Sequence, residues 1–277
     1  MYRGFFINLR RNEQRRADMV RHLEAINASS RYERLEAVDG QEAATQYTKT
    51  PAGPGNLGIW LSHEKLFREA SQTPDLHIHL IEDDELLAKN FVGVLDDILL
   101  HLDAKIPSWD LLFTDAYLHL RPDEFRALQD GIKLYRESGK YTLTDLGQLD
   151  FAGSSSVVVN KRSLAKYHRL IEGKWSLGAA IDLYIRYLVH SGELKAFITL
   201  PFMSTVSGHS ANSNISRKLN LSHSVSETLR RSFFQDADLE LLTAQMREQV
   251  AATTISPLAA IYLDSAKFVI SDQFGSL

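Results

Sequence analysis

The sequence predicts an α/β fold: a mainly parallel central sheet flanked by helices, followed by a helical extension. Three observations predict it. Strand-like and helix-like segments alternate through the first two-thirds of the chain, the order that builds a sheet covered by helices. A short run, Leu76-His77-Ile78-His79-Leu80-Ile81, reads as a buried strand and ends in three carboxylates, Glu82-Asp83-Asp84. Beyond about Ser222 the strand pattern stops and only helical spacing continues.

Phe5 to Leu9 reads as the first buried strand. Asn12 is placed to cap a helix to about Ala25, with Met19, Leu23 and Ile26 on its apolar side. Arg34 to Val38 is a second strand, closed by the turn pair Asp39-Gly40. Two prolines and two glycines between Thr48 and Asn56 indicate a loop, and Leu57 to Ala70 a helix presenting Leu57, Trp60, Leu61, Leu66 and Phe67. After the acidic strand come a helix over Phe91 to Leu102 and a strand, Trp109 to Phe113, ending at Thr114-Asp115. Arg121 to Gly147 is polar and reads as a hairpin or flap. Ser155 to Val159 is a strand, capped by Asn160 ahead of a helix from Ser163 to Ile171. A helix over Ala179 to His190 precedes the strand Ala196 to Leu200. In the tail, Leu229, Phe233, Leu239, Leu242 and Met246 are the expected core contacts. Its Arg230-Arg231 pair suits either a membrane surface or a helix packed on the core. The division expected is one domain over 1–216 and a helical extension over 217–277.

Composition narrows the function classes. The 277 residues are 44% hydrophobic and 24% charged, as in an ordinary globule, and the net charge near −4 draws the chain to no nucleic acid. Cysteine is absent, which excludes disulfides, thiolate metal sites and a cysteine nucleophile. No apolar run approaches the ~20 residues of a membrane span, and the start, Met1 to Leu9, reads as a strand and not as a signal peptide. The expected location is therefore the cytoplasm. No Gly-x-Gly-x-x-Gly follows the first strand and no Walker-type loop is present. Phosphate, if bound, must be held by a metal and scattered basic side chains.

The acids emerge at the carboxyl end of their strand, the edge where open α/β sheets bind ligands. Three like charges in a row call for a positive partner. A hard divalent cation carrying a phosphorylated substrate is one candidate; an acidic turn neutralised by Lys or Arg is the other. Asn8, Arg10, Arg15 and Arg16 follow the first strand, where arginine's planar fork suits phosphate; Arg15 and Arg16 also fit a solvated helix face.

Several blocks, taken in order, resemble glycosyltransferase family 25, the lipopolysaccharide and lipooligosaccharide glycosyltransferases. Ile7-Asn8-Leu9 with Arg10, Arg15, Arg16 and Met19 resembles its opening. Arg34-Leu35-Glu36-Ala37-Val38-Asp39-Gly40 is similar to its second block, and Gly58-Ile59-Trp60-Leu61-Ser62-His63 to its Gly-x-x-x-Ser-His block. Leu80-Ile81-Glu82-Asp83-Asp84 corresponds to its acidic motif. Asp110 to Phe113, Gly153 to Val159, Asp182 and Asn214-Ile215 fall in the later places, so the resemblance spans roughly residues 5 to 216. The family's later blocks usually carry an aromatic and a Pro-x-Asp approach, where this chain has Ser154-Ser155-Ser156 and Ala180-Ile181-Asp182.

The resemblance implies a GT-A-like, single nucleotide-sugar-binding domain and an inverting transfer of a hexose from a UDP-sugar, galactose first and glucose next. The implied acceptor is a saccharide on bacterial lipooligosaccharide or lipopolysaccharide, with peripheral contact at the cytoplasmic face of the inner membrane. A metal-dependent phosphoryl hydrolase would also use clustered carboxylates, but no acidic nucleophile motif follows the first strand. A non-catalytic sugar- or protein-binding descendant is the other alternative. The implied donor site comprises Asn8, Leu9, Arg10, Arg15, Arg16, Ala37, Val38, Asp39, Ser62, His63, Glu82 and Asp83. Asp39 would hydrogen-bond uracil or ribose, or serve only as a turn-former; His63 would shape the donor site or simply pack. The implied cofactor is Mn²⁺ or Mg²⁺, on Asp84 with Glu82 and a loop histidine, His209. An inverting displacement needs a base for the acceptor hydroxyl. Asp182 is the first choice, with Asp115 and Asp150 behind it.

Overall fold

The computed structural model describes residues 1–47, 53–72, 76–118, 122–207, 227–228 and 230–251. The chain opens with strand β1 (Tyr2–Asn8), helix α1 (Glu13–Ala25) and strand β2 (Tyr32–Glu36). Next come a short α2 (Gly40–Ala43), α3 (Gly53–Ala70), β3 (His77–Glu82), β4 (Glu85–Leu87) and α4 (Phe91–Lys105). Then follow β5 (Leu111–Phe113), β6 (Tyr117–Leu118), α5 (Pro122–Ser138), β7 (Thr142–Asp145), β8 (Phe151–Ala152) and β9 (Ser156–Val159). The rest is α6 (Leu164–Ile171), α7 (Ile181–His190), β10 (Ala196–Leu200), β11 (Ser204–Val206) and α8 (Leu239–Ala251).

Seven strands form the central sheet in the order β2-β1-β3-β9-β5-β10-β7. Strands β2, β1, β3, β5 and β10 share one direction, so the sheet is mostly parallel, as expected. Two strands, β9 and β7, run against it. Two small sheets, β11-β4 and β6-β8, sit beside it.

Side-chain alternation explains the two-sided core. Leu111, Phe113, Val157 and Val159 turn to one face and meet Trp60 and Phe67 of α3, Tyr167 of α6 and Ile185 of α7. Leu112, Val158 and Ile81 turn to the other and meet Met19 and Leu23 of α1 and Phe91, Leu95 and Leu99 of α4. One set of polar residues inside this core forms a continuous chain. Tyr32 Oη lies 2.6 Å from His79 Nδ1, and His79 Nε2 lies 3.0 Å from Ser156 Oγ. Ser156 Oγ in turn contacts Thr114 Oγ1 at 2.6 Å, and Thr114 contacts Ser204 Oγ at 2.9 Å. This chain of hydrogen bonds ties β2, β3, β9, β5 and β11 together just behind the carboxyl edge.

Three readings need correction. Helix α3 begins at Gly53, inside the expected loop, because Pro54 in a first helical turn forfeits only an amide that has no intrahelical partner; of that loop, 48–52 lie outside the described residues. The expected hairpin or flap over Arg121 to Gly147 is instead the helix α5 and the strand β7. Leu128 and Ile132, one helical turn apart, pack inward, and Gly139 stops the helix in the left-handed conformation. Asn12 makes no side-chain cap on α1; its carbonyl oxygen instead accepts from Asn8 Nδ2 at 3.0 Å. Of the two settings offered for the Arg230-Arg231 pair, the structure has packing on the core: Arg230 is 4% exposed and ion-paired inside the protein, while Arg231 donates to the Ser207 carbonyl oxygen at 3.2 Å.

In the tail, Phe233 and Leu242 are buried and Leu239 packs against the core. Phe233 carbonyl oxygen accepts from Phe202 N–H at 2.8 Å, joining this segment to the loop after β10. Leu229 and the Met246 side chain, together with residues 252–277, lie outside the described residues. Among the described residues no helix is long and apolar enough to cross a membrane.

Candidate functional site: a cleft at the carboxyl edge of the sheet

The ends of β1, β2 and β3 and the first three turns of α3 border a cleft that is open to solvent. One wall is Ile7, Leu9, Arg11, Asn12 and Arg15, from the end of β1 into α1. The next is the segment Ala37 to Gln41 after β2, and facing it are Pro54, Gly55, Gly58, Ile59 and Ser62 of α3. Glu82, Asp83 and Asp84 form the floor.

Glycine and serine build the wall between the β2 end and α3. A Cβ on Gly58 would lie 2.7 Å from the Val38 carbonyl oxygen, and one on Gly40 would lie 1.7 Å from the Pro54 carbonyl oxygen. The two segments therefore touch backbone to backbone. One helical turn after Gly58, Ser62 Oγ accepts from Val38 N–H at 2.9 Å and donates to the Gly58 carbonyl oxygen at 2.7 Å. This is the physical content of the Gly-x-x-x-Ser spacing. Asp39 caps α2 by accepting from Gln41 N–H at 2.9 Å, and its other oxygen pairs with Arg11.

The acidic floor is neutralised from α1 and braced from β1. Arg15 Nη2 lies 2.8 Å from Asp83 Oδ1 and 2.5 Å from Asp84 Oδ2. Asn8 Nδ2 donates to Asp83 Oδ2 at 2.6 Å, while Asn8 Oδ1 accepts from Arg34 Nε at 3.0 Å. Glu82 has little to offset its charge. Burial, then the charges of Asp84 and Asp83, push its carboxyl up to about 8. Burial also raises Asp83 against the opposing pull of Arg15 and Asn8.

Behind the floor lies a second charged cluster. Arg230 Nε donates to Asp115 at 2.8 Å and its Nη2 to Glu85 at 3.2 Å; a second contact to Asp115 and one to Ser155 complete the set. Its guanidinium stacks 4.5 Å from the Tyr117 ring centre, and Tyr117 donates to Glu227. Two carboxylates share one guanidinium here with no water access. Burial raises Asp115 and, well above its ordinary range, Glu85.

The expected site residues divide accordingly. Leu9, Arg15, Ala37, Val38, Asp39, Ser62, Glu82, Asp83 and Asp84 line the cleft. Asn8 is buried behind it as a brace. Arg10 is exposed, Arg16 half-buried, and neither lines the cleft. His63 turns into the core, tilted against Phe67, and burial lowers its imidazole to about 3. Asp115 is wholly buried and held by Arg230. Asp150 is exposed and paired with Arg186. Asp182, at the start of α7, is half-buried and accepts from Gly153 N–H at 2.8 Å. The same loop reaches the floor, because the Ser155 carbonyl oxygen accepts from Glu82 N–H at 2.8 Å. His209 and Asn214-Ile215 lie outside the described residues.

Sequence reasoning missed Arg11, Gln41, Glu85 and Arg230. Arg11 follows the tight turn after Asn8, closed by Asn12 N–H on the Leu9 carbonyl oxygen at 2.9 Å, a contact visible only in the fold. For Arg230 there was no signal, since its partners stand far off in sequence.

A divalent cation was implied by the acidic motif. One observation fits it: Asp84 Oδ1 is buried and has no hydrogen-bond partner among the described residues, an acceptor open to an ion. Among the described residues no group of three or more Asp, Glu or His is arranged to hold a metal. Mg²⁺-type ions use one or two carboxylates and take their remaining ligands from substrate phosphate and water, so Asp84 with Glu82 suffices if a phosphate is present.

Fold and cleft together define an α/β protein with a solvent-open cleft at the carboxyl edge of a mostly parallel sheet, the edge where open α/β sheets bind ligands. Residues 1–126 match the family model of glycosyltransferase family 25 (LPS biosynthesis protein), which is the resemblance read from the first blocks. That span carries β1, β2, α3 and β3, and so every described residue lining the cleft. A search of curated proteins finds no match. Among solved structures, the apo form of mouse xyloside xylosyltransferase 1 is similar at 14% identity and a TM-score of 0.38, covering 70% of this chain and 83% of that one.

Proposed function

We propose that the protein is an inverting glycosyltransferase that moves a hexose, galactose first and glucose next, from a UDP-sugar to a saccharide of bacterial lipooligosaccharide or lipopolysaccharide. The observation that supports this reading best is the cleft itself, whose described lining falls entirely within the segment similar to family 25. The Val38-Asp39-Gly40 segment, fixed by Ser62, offers backbone and carboxylate groups to a uridine. Arg11 and Arg15 face the cleft from the α1 side, where a diphosphate would meet them. Asp84 and Glu82 would hold Mn²⁺ or Mg²⁺, which supplies Lewis-acid stabilisation of the leaving UDP when bound. Asp182 takes the role of base for the acceptor hydroxyl. It anchors the 153–155 loop that touches Glu82, whereas Asp115 is sealed in its pair with Arg230. Contact with the membrane face that carries the acceptor belongs to the same proposal.

The test is UDP release from a panel of UDP-sugars with Mn²⁺, with and without saccharide acceptors. Acceptor-dependent release from UDP-galactose or UDP-glucose is the expected result. Absence of binding to every UDP-sugar sinks the proposal. Binding with no turnover over a broad acceptor panel would favour a non-catalytic descendant.

A further inference from the structure

Arg15 occupies an unusual place: it lines the cleft and also a second cavity on the far side of the acidic turn, and Asp83 and Asp84 share both walls with it. Its guanidinium bridges the two aspartates from a side chain 20% exposed, while theirs are 7% and 8% exposed. The arrangement leaves two groups unspent. Arg15 Nε and Asp84 Oδ1 are both buried without a hydrogen-bond partner among the described residues. Asp83 has a second hold, on Asn8, and among the described residues Asp84 has no other side-chain donor than Arg15. A buried donor left unsatisfied costs free energy, so this state is not the best Arg15 can reach once a further acceptor arrives.

We propose that Arg15 is an exchangeable counter-ion that makes binding of the divalent cation depend on the nucleotide. With the cleft empty it neutralises Asp83 and Asp84 and repels a cation approaching Asp84. A diphosphate entering the cleft offers several anionic oxygens to the same guanidinium and draws it off Asp84. The freed carboxylate, with phosphate oxygens beside it, then accepts the cation. The described residues bring no three-ligand cage of their own, which is why the phosphate is required. Arg15 acts here as a positioning residue, and the inference rests on the cleft being a nucleotide-diphosphate site.

Linkage makes the effect reciprocal: UDP must raise Mn²⁺ affinity by the factor by which Mn²⁺ raises UDP affinity. The experiment counts free Mn²⁺ by electron paramagnetic resonance in titrations of the full chain with and without UDP, for wild type, Arg15→Gln and Arg15→Lys. UDP binding without metal is measured separately by calorimetry. Expected in the wild type is weak Mn²⁺ binding that UDP tightens by about tenfold or more. Arg15→Gln is expected to bind Mn²⁺ more tightly without UDP and to lose most of the coupling, while Arg15→Lys, which keeps the charge, holds Mn²⁺ off as the wild type does. Equal Mn²⁺ affinity with and without UDP in the wild type overturns the inference. So does an Arg15→Gln protein whose UDP-free Mn²⁺ affinity is unchanged. If UDP binds neither alone nor with Mn²⁺, it is the nucleotide reading of the cleft that fails.

Discussion

Asn8 and Asp83 stand 75 positions apart in sequence, yet Asn8 Nδ2 donates to Asp83 Oδ2 at 2.6 Å. Asn8 is the last residue of β1 and is 1% exposed. Its amide is oriented because Arg34 of β2 donates to both Asn8 Oδ1 and the Asn8 carbonyl oxygen. Three adjacent strand ends thus fix one carboxylate, and with it the direction of the whole acidic turn.

Replacing Asn8 should therefore cost both stability and ligand affinity. Asn8→Ala strands the Arg34 Nε–H and one oxygen of a buried carboxylate, a loss of about 1–3 kcal/mol. Asn8→Asp is expected to be worse, because it sets a second carboxylate against Asp83. Urea denaturation measures the first effect and calorimetry with UDP the second. An Asn8→Asp protein as stable as Asn8→Ala would show that charge at this contact is unimportant.

The glycines of the cleft allow a paired prediction. In Gly58→Ala the new methyl meets the Val38 carbonyl oxygen at 2.7 Å, and neither backbone can withdraw without opening the cleft wall. Destabilisation of about 1–3 kcal/mol is expected, with weaker UDP binding. Gly93, inside α4, has nothing within 4 Å of its added Cβ. Gly93→Ala should stabilise by about 0.4–1 kcal/mol, through helix propensity and a less flexible unfolded chain. Thermal unfolding of the two variants side by side decides it, since a generic intolerance of alanine would lower both.

How much of this was readable in the sequence follows from how local each cause is. The run Leu80-Ile81 before Glu82 places the acids at a strand end, and Asp39-Gly40 after a strand is a turn on residue type alone. Those signals located the cleft. The opposite direction of β9 was not legible, because a strand buried on both faces reads the same in either direction; β7, a partly exposed edge strand, lies in the polar stretch read as a hairpin or flap. Pairing with β3 and β5 decides the direction of β9, and pairing with β10 that of β7. His63 follows the informative Ser62, but on a helix adjacent residues face about 100° apart, so one reaches the cleft and the other the core. Arg230 escaped because its partners, Glu85 and Asp115, come from other parts of the chain, and a basic pair in a polar helical segment ordinarily lies in solvent.

Arg230 should prove the most sensitive single position outside the cleft. Arg230→Met leaves Asp115 and Glu85 buried with no positive partner, a change expected to cost about 3–5 kcal/mol. Both carboxyls would then take protons more readily, so the deficit should shrink as the pH is lowered toward 6. Denaturation of wild type and variant at two pH values checks this; a deficit independent of pH would point to lost packing on Tyr117 instead.

Roles in transfer separate by kinetics. Asp84→Asn should abolish metal-dependent donor binding and leave the fold intact, because the amide keeps the shape of the side chain. Asp182→Asn should spare UDP affinity and lower kcat by about 10²-fold or more, as removal of a general base does. Steady-state rates with UDP affinities measured in parallel provide the check. If Asp182→Asn is as active as wild type and Asp115→Asn is the slow variant, the proton goes to Asp115 and its pair with Arg230 must open during turnover.

The pH dependence of stability carries the signature of the acidic floor. Burial and the adjacent Asp84 and Asp83 push Glu82 up to about 8, and burial also raises Asp115 and Glu85. In the unfolded chain such carboxyls titrate near 4. Between those limits for Glu82, and wherever a raised carboxyl keeps its proton only in the fold, the folded protein holds more protons than the unfolded one, so stability falls as pH rises. Buried histidines act with the opposite sign. Burial lowers His63 and His79 to about 3 and His77 to about 4, so the unfolded state binds their protons and stability climbs with pH. That climb ends near 6.5, where unfolded imidazoles lose their protons as well. Above 6.5 the carboxyls act alone. The ligand-free protein should lose stability between pH 6.5 and 8, with Glu82 contributing a slope of up to about 1.4 kcal/mol per pH unit. Glu82→Gln removes one of them and should flatten the slope and raise stability at pH 8. Denaturant unfolding of both proteins across this window tests it, and equal slopes would show that Glu82 keeps an ordinary carboxyl in the folded state.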